Sequence, residues 1–422
     1  MNNQSQMINN HHILPLTKGE LEEVGSTETS PNPSFARRGI KPHAIIFSTA
    51  YLPLTGGAEI AMKEITDRLP DWQFDLFCAR LKKLPRVEKI GNITIHRIGF
   101  GFSCDKFLLP FLAPLAALRI PATNCQLPNT IIWSLMSSYG GFAALVFTWL
   151  RQRTKMLLTL QEGDPLDHYD KRAGLFQGLH RRIFRRADEV QAISRFLADW
   201  SVRMGFKGEP QVIPNGVDIQ KFSVLSSRFS VRRRELRREF GFSETDTVLV
   251  TTSRLSLKNG VDDLIRSLTF LPETFKALIV GEGEDKEKLF QLVQEKNLKN
   301  RVLFLGRKEH KDLPAILQSA EIFVRPSLSE GLGNSFIEAM AAGLPIIGTP
   351  VGGIPDFLID GETGVFCKVR DPESIAKAVR RIIEDTDFKE KIARNGEILV
   401  NSRYGWNDIA QQIDSILKML SV

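Results

Sequence analysis

Residues 325–366 read RPSLSEGLGNSFIEAMAAGLPIIGTPVGGIPDFLIDGETGVF. They follow Glu321-Ile322-Phe323-Val324, an apolar run that reads as a buried parallel strand. A loop from Ser327 to Gly333 comes next, then a helical pattern from Asn334 to Ala342 that Gly343 stops. Strand, glycine loop and helix in this order let an open α/β sheet turn backbone N–H groups and a positive helix end toward a phosphate. Two carboxylates, Glu330 and Glu338, bracket that point. Glu330 stands before glycines that let a ligand approach the backbone closely. Glu338 lies in the second turn of the helix, within reach of the same crevice. Beside a phosphate, a carboxylate is better suited to accept hydrogen bonds from sugar hydroxyls than to touch the anion. Taken alone, two acids with this spacing are more often solvated surface groups.

The wider segment EGLGNSFIEAMAAGLPIIGTPVGG resembles the signature of the family 4 retaining glycosyltransferases, which use nucleotide-sugar donors. The resemblance runs from about residue 42 to the end of the chain. It implies an α/β fold of the GT-B type: two doubly wound Rossmann-like domains facing across a cleft. It also implies that Glu330 contacts the transferred sugar and Glu338 the nucleotide ribose. Gly331, Leu332, Gly333 and Asn334 would form the backbone cradle.

Moving toward the N-terminus, Arg254-Leu255-Ser256-Leu257-Lys258-Asn259-Gly260 follows a β-rich run and precedes another helical pattern. An Arg and a Lys at a strand end can clamp a diphosphate, the first by its planar fork and the second as a point charge. Isolated, such a pair is ordinarily solvated. The segment resembles the family's RL…KG-type loop, which makes Arg254 and Lys258 the candidates that stabilise the leaving diphosphate. Asn259 stands where relatives often carry the Lys. The resemblance further places the nucleobase near Gly306 and Arg307. It carries Gly56 and Gly57, between a strand at 44–48 and a helix beginning near Ile60, as donor contacts; by itself a Gly-Gly pair is equally a tight turn.

Further strands are expected at 74–78, 93–98, 131–134, 156–160 and 189–193, with helices between several of them, the pattern of a parallel sheet. The ends of two of these strands carry Tyr139 and the stretch Gln161-Glu162-Gly163-Asp164. Tyr139, Gln161, Glu162 and Asp164 are therefore the acceptor-side candidates, or loop polars that meet only water. Relatives often have a His where this chain has Gln161-Glu162. The expected division is a disordered tail over 1–41, an acceptor domain over 42–216, a nucleotide-sugar domain over 217–402, and a C-terminal helix over 403–422 crossing back to the first domain. His11-His12 in the tail lacks the further ligands a closed metal site needs.

Composition narrows the partners. The chain has 422 residues, 42% hydrophobic and 25% charged, enough for two ordinary domains of a soluble protein. Residues 107–118 form the longest apolar run, too short for a span and broken by Pro110 and Pro114; they read as buried or interfacial. No secretory leader is read, and Cys78, Cys104, Cys125 and Cys367 lack metal spacing, so a cytoplasmic location is expected. Lys plus Arg exceed Asp plus Glu by seven (56 minus 49), which suits an anionic donor or an anionic membrane face. No nucleic-acid motif accompanies it. Residues 180–186, HRRIFRR, are either a solvated face or a membrane-docking patch. Asp385-Thr386-Asp387 matches D-x-D but lies far from any glycine loop, and no metal or other cofactor is expected.

Together these readings describe a retaining, metal-independent hexosyltransferase. Its donor would be a nucleoside-diphosphate sugar and its acceptor a hydroxyl, on a lipid carrier or a cell-envelope polysaccharide precursor. Two alternatives stay open: a nucleotide-sugar binder that no longer transfers, and a sugar-nucleotide epimerase on a similar scaffold.

Overall fold

The structure is a computed structural model that describes residues 41–54, 56–120, 130–166, 174, 177–223 and 228–421. The tail, His11-His12 included, lies outside them. The first sheet contains β1 (His43–Phe47), β2 (Gln73–Ala79), β3 (Val87–Ile90), β4 (Ile93–Ile98), β5 (Ile131–Leu135), β6 (Met156–Leu160), β7 (Glu189–Ala192) and β8 (Gln211–Val212). Their order is β3-β4-β2-β1-β5-β6-β7-β8. Every pairing is parallel except β3 with β4. The second sheet, wholly parallel, contains β9 (Thr247–Thr252), β10 (Phe275–Val280), β11 (Val302–Gly306), β12 (Ile322–Arg325), β13 (Ile346–Gly348) and β14 (Val365–Phe366). Its order is β11-β10-β9-β12-β13-β14.

Burial explains the parallel strands. Each residue of β1, β5 and β6 is buried, as helices on both faces require. β3 escapes the sequence reading because VEKI is short and no residue of it is buried; it hairpins onto β4 through Gly91, whose φ is 57°.

Six helices matter below: α1 (Gly57–Asp67), α2 (Asp105–Ala117), α3 (Tyr139–Leu150), α4 (Gln177–Arg186), α5 (Asn334–Ala341) and α6 (Trp406–Leu420). In α6, Trp406, Ile409, Ile413 and Leu417 join the core of the first sheet with Trp72, Phe74 and Trp133. Trp72 Nε1 donates to Asp414 Oδ1 of α6 at 2.7 Å. Another apolar cluster joins Phe47 and Leu160 of the first sheet to Phe323 of the second, and to Leu332 and Phe336 in the loop and helix that follow β12.

In an open sheet, ligands bind beyond the strand C-termini where the strand order reverses. In the first sheet that place lies between β1 and β5. In the second it lies between β9 and β12, whose following loops carry Lys258 and Glu330.

Candidate active site in the cleft

The two lobes meet around a cavity of about 240 Å³. The first lobe lines it with Gly57, Gln161, Gly163 and Asn215, among others; the second contributes Arg325 and Glu330 through Ser335. α1 and α5 both begin here, so two positive helix ends point at one space.

The backbone around Glu330 is packed too closely for side chains. A Cβ on Gly331 would stand 2.4 Å from the Glu162 carbonyl oxygen, so the two lobes touch main chain to main chain. Gly352 has φ 57°, and a Cβ there would stand 1.8 Å from the Glu330 carbonyl oxygen. The turn at Val351-Gly352-Gly353 therefore backs the loop from behind, and the Gly353 N–H donates to that carbonyl at 3.2 Å.

Glu330 is mostly buried, and its Oε2 forms an ion pair with Arg325 Nη2 at 2.6 Å. The contact lacks the angle of a hydrogen bond, and both Glu330 Oε2 and Arg325 Nε are buried without one. Arg325 Nη1 donates to Ser335 Oγ at 2.7 Å and Nη2 to Asn259 Oδ1 at 2.9 Å. Asn259, at the position where the sequence reading notes the missing Lys, holds this arginine instead. Sequence reasoning missed Arg325, though a cation ending an apolar strand was its signal.

Lys258 spans the cleft. Its Nζ donates to the Gly163 carbonyl at 3.0 Å and to Asp164 Oδ1 at 2.7 Å. Deeper in, Gln161 and Asn215 exchange amide hydrogen bonds at 3.0 and 2.9 Å, and Asn215 Nδ2 donates to Asn334 Oδ1 at 3.3 Å. A Cβ on Gly57 would stand 3.2 Å from Asn334 Nδ2, so Gly57 faces the same group. Asn215 is a second residue that the sequence reading left out.

Other candidates are placed elsewhere. Arg254 is 71% exposed and paired with Glu284 at 3.0 Å; it does not line the cavity. Its backbone carbonyl, not its side chain, meets the residue that holds Arg325, accepting from Asn259 Nδ2 at 2.6 Å. Gly56 gives its N–H to Glu59 Oε2 at 2.7 Å, closing the cap of α1. Glu338 sits one turn inside α5, where its Oε1 meets His310 Nε2 at 2.9 Å. That bond holds the His310 pKa above the ordinary imidazole value, against the opposing effect of burial. Gly306 ends β11, the edge strand, and the exposed Arg307 follows it; neither lines the cavity. Tyr139 opens α3 and packs on Phe107.

Glu162 is enclosed rather than presented to the cleft. Burial pushes its pKa up, and its Oε1 accepts from the Ser137 N–H at 2.7 Å and Ser137 Oγ at 2.8 Å. Its carboxylate braces the β5 and β6 loops, while its carbonyl faces Gly331. Among the described residues no cluster of three or more His, Cys, Asp or Glu is placed to hold a metal ion. Asp385 of the D-x-D caps the following helix, accepting from the Phe388 N–H at 2.9 Å.

The profile described as glycosyl transferases group 1 matches residues 232–398, and the one described as glycosyltransferase family 4 matches residues 55–221. The chain belongs to the group 1 glycosyltransferases. An uncharacterised glycosyltransferase of Methanocaldococcus jannaschii is 23% identical over 394 residues, 89% of this chain and 98% of that one. A GDP-mannose-dependent monoacylated phosphatidylinositol monomannoside mannosyltransferase of Corynebacterium glutamicum is 27% identical over 56% of this chain and 64% of its own length. Among solved structures, HepE of Anabaena in complex with UDP and glucose superposes with a TM-score of 0.74 at 20% identity, over 90% of this chain and 100% of that one. This glycosyltransferase thus has the two-domain α/β fold called GT-B.

Proposed function

We propose that the protein moves a hexose-type sugar from a nucleoside-diphosphate sugar to a hydroxyl acceptor, with retention of anomeric configuration and without a metal. The observation that carries this reading is the convergence, on one cleft cavity, of two helix N-termini with the Glu330 side chain and the Gly331–Gly333 backbone. Lys258 reaches across the edge of the same opening. Such an arrangement offers fixed dipoles and a cation where a departing diphosphate gathers charge. Glu330 would meet the transferred sugar and Glu338 the ribose. The related proteins reported above add weight to a nucleotide donor, since one is GDP-mannose-dependent and a fold neighbour has been solved with UDP. The glycolipid acceptor of the first of these suggests a lipid-linked or cell-envelope acceptor here.

In this reading the cations of the second lobe stabilise the leaving group, and closure of the cleft keeps water from the donor. Lys258 takes that role ahead of Arg254, whose exposed side chain is paired with Glu284 outside the cavity lining.

The test is a panel of uridine and guanosine diphosphate sugars, scored by thermal stabilisation and by released nucleotide. A ligand at 100 times its dissociation constant should add about 2.7 kcal/mol. For Lys258→Ala, transfer should drop roughly 100- to 1,000-fold with the fold intact, the cost of losing one charge-stabilising donor. Glu330→Gln should impair transfer while nucleotide still binds. Stabilisation without nucleotide release from the donor, whatever acceptor is offered, would assign the chain to the non-transferring binders, and conversion of free donor without acceptor to the epimerases.

A further inference from the structure

Among the described residues, the first lobe presents an uncovered apolar surface. Helix α2 is apolar around its circumference, the pattern of a fully enclosed helix. It buries Leu109, Ala113 and Ala117, yet turns Phe107 (55% exposed), Phe111 (66%) and Leu115 (52%) to solvent. The loop before it adds Phe100 and Phe102, both exposed. This loop is held in place: the buried Asp105 carboxylate accepts N–H bonds from Phe100, Gly101 and Phe102 at 2.7, 2.7 and 3.2 Å. Its aromatic rings are thus presented by a fixed turn. Contiguous exposed apolar area of this kind marks an interaction surface.

The charges beside it indicate the partner. Lys82 and Lys83, both exposed, run along Gly101, where a Cβ would stand 3.3 Å from Lys83 Cγ. Lys106 Nζ lies 5.3 Å from the Phe107 ring centre. Asp105 is the one acid between residues 99 and 120, and its carboxylate is used internally. A rigid apolar ridge edged by lysines matches the interface of an anionic bilayer, with rings among the acyl chains and cations at the headgroups. At 13 residues α2 is too short to cross, and none of the described helices is long and apolar enough to do so. Phe107 packs edge-on against Tyr139 at 5.4 Å, where α3 leaves the C-terminal end of β5, the end at which an open α/β sheet binds ligands.

We propose that α2 and the Phe100–Phe102 turn dock the protein flat on an anionic phospholipid bilayer, so that a lipid-linked hydroxyl reaches the mouth of the cleft. The docking stands on the surface alone; the acceptor half rests on the transferase reading. This assignment differs from the basic helix α4, where Ile183 and Phe184 are buried and only Arg181, Arg182 and Arg185 of its last two turns are exposed.

Flotation of the full chain with phosphatidylcholine vesicles, with and without about half phosphatidylglycerol, tests it. The wild type should float with the anionic vesicles, and Phe102→Ser with Phe111→Ser should lower the bound fraction at least 10-fold. The pair Lys82→Glu and Lys83→Glu should weaken binding to the anionic vesicles, and Arg181→Glu with Arg182→Glu should leave it unchanged. The proposal is overturned if the wild type fails to float, if the double Phe variant floats equally well, or if the α4 variant alone abolishes binding. It is also overturned if sedimentation shows a dimer that the Phe variant splits, because the ridge would then be covered by a second copy. Thermal stabilisation by soluble nucleotide sugars, measured on the same variants, keeps the two readings apart. Stabilisation without flotation removes only the docking, and flotation without stabilisation by any donor removes only the transferase reading.

Discussion

Arg325 ends an apolar strand with a charge, and the structure shows why the charge is tolerated. Ser335, Asn259 and Glu330 surround it, and through it Glu330 is held at the cavity wall. Arg325→Gln should therefore misplace Glu330 and lower kcat/KM for transfer about 100-fold, as small misalignments of reacting groups do. Nucleotide affinity should change much less, and an equal loss in both measurements would argue against a positioning role. His310 and Glu338 give a pH signature at the same scale. Because the folded-state pKa of His310 is raised, first by its hydrogen bond to Glu338, the pair contributes stability fully below the ordinary imidazole value of about 6.5. That contribution is lost as pH rises through the raised folded value. Urea denaturation from pH 5 to 9 should show wild type and His310→Gln converging at the alkaline end. A gap that widened with pH would refute the assignment.

At the scale of elements, the contact between the Glu330 loop and the β6 loop is main chain against main chain. Gly331→Ala places a Cβ 2.4 Å from a carbonyl oxygen on the opposite lobe, where no side chain can swing aside. The expected cost is about 1–3 kcal/mol in urea unfolding, the usual range for overpacking. Gly57→Ala, whose Cβ would meet only the movable Asn334 amide at 3.2 Å, should cost less. Equal stability for both variants would mean that the loops are not locked together. Strand assignments such as 156–160 were legible because continuous apolar runs admit few structures when both sheet faces are covered. The helix at 105–117 was not, because Pro110 and Pro114 and an apolar outer face break the usual signals.

Across the whole molecule, the cleft holds a cavity of about 240 Å³, below the roughly 300–1,000 Å³ of ordinary ligand pockets. The Lys258–Asp164 ion pair crosses it, and a diphosphate that uses Lys258 must displace Asp164. Both side chains are substantially exposed, so solvent screening keeps this contact in the range of surface pairs, about 0.2–1 kcal/mol. Asp164→Asn should accordingly tighten nucleotide-sugar binding by at most about fivefold in calorimetric titration. Weaker binding would show that Asp164 helps to hold the donor.

The sequence alone determined the α/β class, the strand-loop-helix order and the local identity of the Glu330 loop, because apolar period and glycine placement act over neighbouring residues. Which cation meets which acid was decided only by tertiary structure. Arg254 and Lys258 share one loop, yet one turns to Glu284 in solvent and the other crosses to Asp164 on the opposite lobe. Arg325 reaches Asn259 from 66 positions away. Side-chain direction at a strand end depends on what the facing lobe offers, and that partner is remote in the chain.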